Sequence, residues 1–256
     1  CALLTLGKEV DILIKGFDQC SKLMLKITDF VMAFSPVGIA ALMAKLVNSI
    51  SGATVKDVIT FIIMDYVAAI VVLVVMYPLL LKLLSGLSPL TFFKKITEPM
   101  LVAITTTSSA ATLPVSLKTA GTKLGIPENV YGFTLPLGNT CGMNGFAIFI
   151  GLCCIFCSNV YGVEITFSKL VLYVFLGIIL SVGAAGVKGA GIVMSTVLLE
   201  AIGMPLTVIP IFAAIWPAID PPHTLLNNVS DIVGTSIIAK RLGLIDEKIY
   251  NSEIVD

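Results

Sequence analysis

The chain has 256 residues, of which 57% are hydrophobic and only 12% charged, and its mean hydropathy is +1.03. Ordinary soluble domains are not built this way. Its 16 basic and 16 acidic residues cancel, which removes the electrostatic footprint of a nucleic-acid binder.

The first residue is Cys1, and neither a signal peptide nor a clean terminal arm follows, so the sequence reads as the C-terminal part of something longer. Residues 10–50 read as one long helix, amphipathic up to Asp29, apolar beyond it, with a kink at Pro36 and Gly38. Residues 58–84 are apolar apart from Thr60, Asp65 and Lys82, a run longer than the roughly 20 residues that cross a bilayer. Asp65 reads as a structural hydrogen-bonding group.

Between 89 and 121 the apolar character is split by Thr105, Thr106, Thr107, Ser108 and Ser109, then by Thr112 and Pro114. So many locally bonding hydroxyls disfavour a helix interior and predict two short helices meeting at a tip. Residues 135–145, LPLGNTCGMNG, break the following span with Pro136, Gly138, Gly142 and Gly145. Cys153, Cys154 and Cys157 lie in an apolar run with no acidic or histidine neighbour and read as packing. A second hairpin is expected over 166–204, where Gly183, Gly186, Gly189 and Gly191 interrupt the helix at about 1 kcal/mol per interior glycine. In the last segment Asp220, His223, Thr224, Asn227 and Asp231 recur at helical spacing and form one polar stripe. Ionisable groups at membrane depth face a bundle interior or a wet cavity, and broken backbone survives there only when it is buried in protein or lines a cavity. A span and hairpin followed by another span and hairpin form a repeat, the arrangement that points to a transporter's binding site.

Four motifs then carry a resemblance: SSAATLP (108–114), YGFTLPLGNTCGMNG (131–145), GAAGVKGAG (183–191) and DPPHTLLNNVSDIVGTSIIAK (220–240). In this order they resemble the dicarboxylate/amino-acid:cation symporter family. The resemblance implies an all-α polytopic membrane protein with an inverted repeat, two re-entrant helical hairpins and broken helices. Residues 1–50 would then be the family's fifth, scaffold-type helix and 51–256 the transport domain, with the first four helices absent. It further implies symport by alternating access in a homotrimer within the plasma membrane, in contact with lipid. No prosthetic cofactor is implied; sodium is the coupling ion, with a proton as the alternative. By the same resemblance Ser108, Ser109 and Asn227 hold a substrate carboxylate and Asp220 its ammonium, with Phe146, His223 and Thr224 beside them. Asp231 with carbonyls of Gly138, Gly142 and Asn227 resembles one cation site, and Thr140 with carbonyls of Ser181, Val182 and Ala184 another. Gly183, Gly186 and Gly189 form the gate.

Departures from the family pattern bear on selectivity. Asn144 replaces an aspartate of a third cation site, Phe146 a threonine, and His223 the arginine that reads a second carboxylate. A neutral amino acid is therefore favoured over an acidic one or a dicarboxylate, and His223→Arg is expected to shift preference towards aspartate. Asp220, followed by Pro221 and Pro222, also reads as a helix N-cap. Two other classes stay open: a degenerate member that binds solute or conducts ions, and a membrane hydrolase using Ser108, His223 and Asp220, although no GxSxG elbow is present.

Overall fold

The computed structural model describes residues 52–184 and 190–252, with scattered positions between 12 and 41. Most of the helix expected over 10–50, and the tip glycines Gly186 and Gly189, lie outside the described residues. Every regular element among them is helical: α1 (Gly52–Val71), a π turn (Val72–Met76), α2 (Tyr77–Ser85), α3 (Pro89–Lys95), α4 (Thr97–Thr106), α5 (Ser109–Thr122), α6 (Glu128–Cys141), α7 (Asn144–Val160), α8 (Phe167–Gly183), α9 (Ala190–Ala201), a 3-10 turn (Leu206–Val208), α10 (Ile209–Arg241) and α11 (Glu247–Asn251).

Helices α1 and α2 run together through the π turn, and Val55–Ser85 is a 31-residue stretch of mean hydropathy 2.8, long enough to cross a bilayer. Ile59, Ile63, Val67, Ile70 and Val74 form an exposed apolar stripe along it, the face a lipid environment would cover. The π turn changes the helix phase: the Tyr77 amide donates to the Val72 carbonyl, and beyond it Tyr77 and Leu81 are buried. A second apolar stretch, Glu128–Val160, is 33 residues long and is interrupted where Gly142 and Met143 leave the helical conformation.

The 33-residue α10, about 50 Å long at 1.5 Å per residue, packs against α2, α4, α5, α6, α7 and α9. Its first half gives Phe212, Trp216 and Ile219 to one apolar core with Phe61, Phe149 and Leu198, and the three cysteines Cys153, Cys154 and Cys157 fill the same core. Its second half gives Leu225, Val229 and Ile232 to another, with Tyr77, Phe92 and Leu135. The polar residues of α10 begin where the first core gives way to the second.

Pro217, Pro221 and Pro222 lie inside α10. Asp220 therefore stands in mid-helix, and the capping role expected from its prolines is replaced by an interior one. Proline has no N–H to donate one turn back, so Pro222 leaves the Ala218 carbonyl without its helical partner. The Tyr66 hydroxyl takes that place, donating to it at 2.6 Å.

Candidate solute and cation site

Between α4 and α5 the chain turns through Thr107, whose φ of +47° is left-handed. Hydroxyls from the same few residues satisfy this turn. Thr106 Oγ1 accepts from the Ser108 amide at 3.3 Å, Ser108 Oγ caps α5 by accepting from the Ala111 amide at 3.3 Å, and Thr112 Oγ1 donates to the Ser108 carbonyl at 2.9 Å. Ser108 is thus committed to the turn, while the next residue, Ser109, is buried and faces α10.

The single stripe expected on α10 resolves into two, each stepping by four residues. Along the first, Thr224 Oγ1 donates to Asp220 Oδ1 at 3.3 Å, and Asn228 Nδ2 donates to the Thr224 carbonyl at 2.8 Å. Asn228 Nδ2 also donates to Ser109 Oγ at 3.2 Å, which ties the first turn to α10. Asn228 joins the expected residues: it stands one helical turn beyond Thr224 and shares its face.

The second stripe is His223, Asn227 and Asp231, and it faces α1, α6 and α7. His223 Nε2 lies 2.8 Å from Asp65 Oδ1, so the structural bond expected of Asp65 goes to the one histidine in the sequence. Asn227 Oδ1 accepts from the Gly145 amide at 2.8 Å, and Asn227 Nδ2 reaches Met143 Sδ at 3.3 Å. The amides at the start of a helix lack intrahelical partners, and Asn227 supplies one at the start of α7.

Asp231 packs directly on two glycines. A Cβ at Gly138 would stand 2.5 Å from Asp231 Oδ1, and one at Gly142 would clash with the same oxygen. Only glycine lets the broken backbone approach this closely. A cavity of about 420 Å³ opens here between Gly138, Gly142, Asn144, Ser230 and Asp231. Asn144 Nδ2 meets the Tyr77 hydroxyl at 3.4 Å, and that hydroxyl in turn donates to the Leu226 carbonyl. A half-buried carboxylate packed on interrupted backbone beside a cavity offers hard oxygen, the ligand type that suits an alkali cation rather than a transition metal.

Other expected residues lie apart from this group. Phe146 is buried in the first core, stacked on Phe149 with ring centroids 5.7 Å apart. Thr140 Oγ1 donates to the Pro136 carbonyl at 3.0 Å, and Ser181 Oγ to the Ile178 carbonyl at 2.9 Å. Among the described residues no hydrogen bond joins Thr140 to Ser181, Val182 or Ala184. Gly183 ends α8 with open space where a Cβ would be. The hydrolase arrangement is not assembled either, since the His223 ring nitrogen that has a partner meets Asp65 rather than Ser108 or Asp220.

A sequence profile of the sodium:dicarboxylate symporter family matches residues 1–241. An uncharacterized symporter of Haemophilus influenzae is 32% identical over 91% of this chain and 54% of its own length. The neutral amino acid transporter B(0) of Mus musculus is 29% identical over 93% of this chain and 43% of its own. The excitatory amino acid transporter 2 of Mus musculus is 28% identical over 91% of this chain and 41% of its own. The chain thus spans about half the length of the curated relatives it matches. Given a profile match over nearly its whole length, the chain belongs to the sodium:dicarboxylate symporter family.

Proposed function

We propose that this chain forms the solute-carrying part of a secondary active transporter in the plasma membrane, one that moves an amino acid together with sodium by alternating access. The observation that carries this reading is the contact of Asp231 with Gly138 and Gly142. There a carboxylate meets interrupted backbone beside a cavity, in a chain whose family is defined by sodium-coupled symport. The Gly138, Gly142 and Asn227 carbonyls would complete a sodium shell. Thr140 with the carbonyls of Ser181, Val182 and Ala184 would form a second, with a proton as the alternative coupling ion.

Solute would lie along α10, its ammonium on Asp220 and its carboxylate on Ser108, Ser109 and Asn227, with Phe146, His223 and Thr224 around its side chain. The turn at 107–108 would then be the tip of one re-entrant hairpin; a second tip would lie around 185, with Gly183, Gly186 and Gly189 letting it open as the gate. Residues 51–256 would move against a scaffold that includes residues 1–50, in a homotrimer. A neutral amino acid is the favoured solute because His223 carries no fixed positive charge, and one of the relatives is a neutral amino acid transporter, although another is an excitatory amino acid transporter.

Solute uptake by the full-length protein in vesicles with imposed ion gradients tests this. Sodium-driven accumulation of a neutral amino acid is the expected result. Ion-dependent binding without accumulation would favour a degenerate member, and solute breakdown a hydrolase.

A further inference from the structure

We propose that the end of the bundle where α2, α3, α10 and α11 meet is a binding surface for anionic phospholipid, its basic side chains taking the phosphate and its exposed leucines lying among the acyl chains. The inference does not depend on which solute is carried.

Hydrogen bonds gather several chain ends here. The Asp246 amide donates to the Gly125 carbonyl at 2.8 Å, and the Tyr250 hydroxyl donates to the Ser88 carbonyl at 2.9 Å. Lys95 is buried and donates to the Ile249 carbonyl and, at 3.3 Å, to Ser252 Oγ. Arg241 Nε donates to the Leu84 carbonyl at 3.0 Å, which sets the end of α10 against the end of α2. Because α2 closes the apolar stretch Val55–Ser85, this end stands at the level where hydrocarbon gives way to headgroups.

What it exposes fits that level. Leu83 is 71% exposed, Leu90 70%, Leu242 61% and Leu244 44%, on the same elements and connections that carry the exposed Lys82, Lys94, Arg241 and Lys248. Long basic side chains keep their stems among apolar groups and their charge at headgroup level. Lys82 Nζ and Arg241 Nε each make one local bond, to the Gly86 and Leu84 carbonyls, and both groups keep further N–H donors for a phosphate. Among the described residues, the acids of this end are mostly engaged. Glu98 pairs with Lys123 and Glu247 with Lys240, and Asp246 Oδ1 accepts from the Lys248 and Ile249 amides; Glu128 remains exposed at the start of α6.

The opposite end, where the start of α1 meets the end of α7, is mixed in charge, with Lys56 beside Asp57, and Lys169 alongside Glu164 and Glu200. A small free anion would meet the basic groups alone and leave the leucines in water, so a lipid is the occupant that satisfies both. Each basic residue at an anionic surface strengthens attachment roughly fivefold.

Thermal unfolding of the purified full-length protein in neutral detergent tests this, with phosphatidylglycerol or phosphatidylcholine of the same acyl chains added. Phosphatidylglycerol should raise the midpoint by about 3 °C or more and phosphatidylcholine by less than about 1 °C. Glycerol phosphate, a phosphate ester without chains, should give no shift. Replacing Lys82, Lys94, Arg241 and Lys248 by glutamine should remove the phosphatidylglycerol shift, whereas Lys56→Gln with Lys169→Gln should keep it. A shift that survives the fourfold replacement, is equal for both lipids or is reproduced by glycerol phosphate would overturn the proposal. Should the fourfold variant not fold, Lys94→Gln with Lys248→Gln decides through the phospholipid that co-purifies: its anionic share should fall at least about threefold, and an unchanged share overturns the inference. Release of a co-purifying protein by that double variant, with no lipid shift in wild type, would assign the surface to a protein instead.

Discussion

The chain interruptions at 107–108 and at 142–143 are closed by different means. At the first, hydroxyls of Thr106, Ser108 and Thr112 satisfy the turn from within six residues of one another. At the second, the partners come from α10, more than 80 residues away: Asn227 for the Gly145 amide, and Asp231 lodged against Gly138 and Gly142. A locally closed turn can lose one group and keep its shape. An interruption closed by a distant helix ties the fold and the site together, and substitutions there should cost more.

The largest effect is expected at Gly145. A Cβ there would stand 2.5 Å from the Cα and 2.6 Å from the carbonyl oxygen of His223, backbone that cannot rotate aside. Gly145→Ala should therefore destabilise the protein by about 3 kcal/mol. Gly151 lies on the same helix and has nothing within 4 Å of its Cβ position, so Gly151→Ala should be neutral or stabilising by up to about 1 kcal/mol. Thermal unfolding of both variants in detergent measures the contrast, and a similar loss in both would show that close approach is not what matters at Gly145.

Next in size is the carboxylate. Asp231→Asn should weaken sodium-dependent solute binding by about tenfold or more, since it removes the charge that offsets the cation's lost hydration. Asn144→Ala removes only a neutral group held by a 3.4 Å contact with Tyr77 and should change binding by less than about threefold. Sodium titrations of solute binding compare the two. Equal losses would move the cation away from Asp231.

What could be read from the sequence follows the same division. The hydroxyl cluster at 105–109 announces a turn because its cause is local chemistry, and the turn is at 107–108. The glycines at 138, 142 and 145 announce a break, yet the sequence does not say that Asp231 and His223 are what press upon them. Helical spacing put Asp220, His223, Thr224, Asn227 and Asp231 on one stripe. Only the packing of neighbouring helices separates them into a face towards Ser109 and a face towards Asp65 and Gly145. Asp65 read correctly as a bonding group, but pairing across 158 residues leaves no local trace.

A smaller effect is expected at Asn227. Asn227→Ala orphans the Gly145 amide and should cost about 1–3 kcal/mol. Asn227→Asp keeps an acceptor near the α7 N-terminus, where negative charge is favourable, and should retain most of the stability. If the two variants unfold together, the 2.8 Å bond does not support the start of α7.

Thr107 tests the local side of the comparison and should give the smallest change. Its left-handed conformation, φ +47°, costs a β-branched residue about 1–2 kcal/mol, strain that glycine would not have. Glycine in turn gains freedom in the unfolded chain, which opposes folding by about 0.5–1 kcal/mol, and Thr107→Gly also loses the bond from Thr107 Oγ1 to the Thr106 carbonyl. These terms nearly cancel. Thr107→Gly should thus lie within about 1 kcal/mol of wild type, because the Ser108 cap and the Thr112 bond remain to hold the turn. Unfolding of this variant beside Gly145→Ala gives the comparison in one experiment. A loss at Thr107 as large as that at Gly145 would mean that the first turn also depends on its neighbours, with the Asn228–Ser109 bond as the first contact to remove.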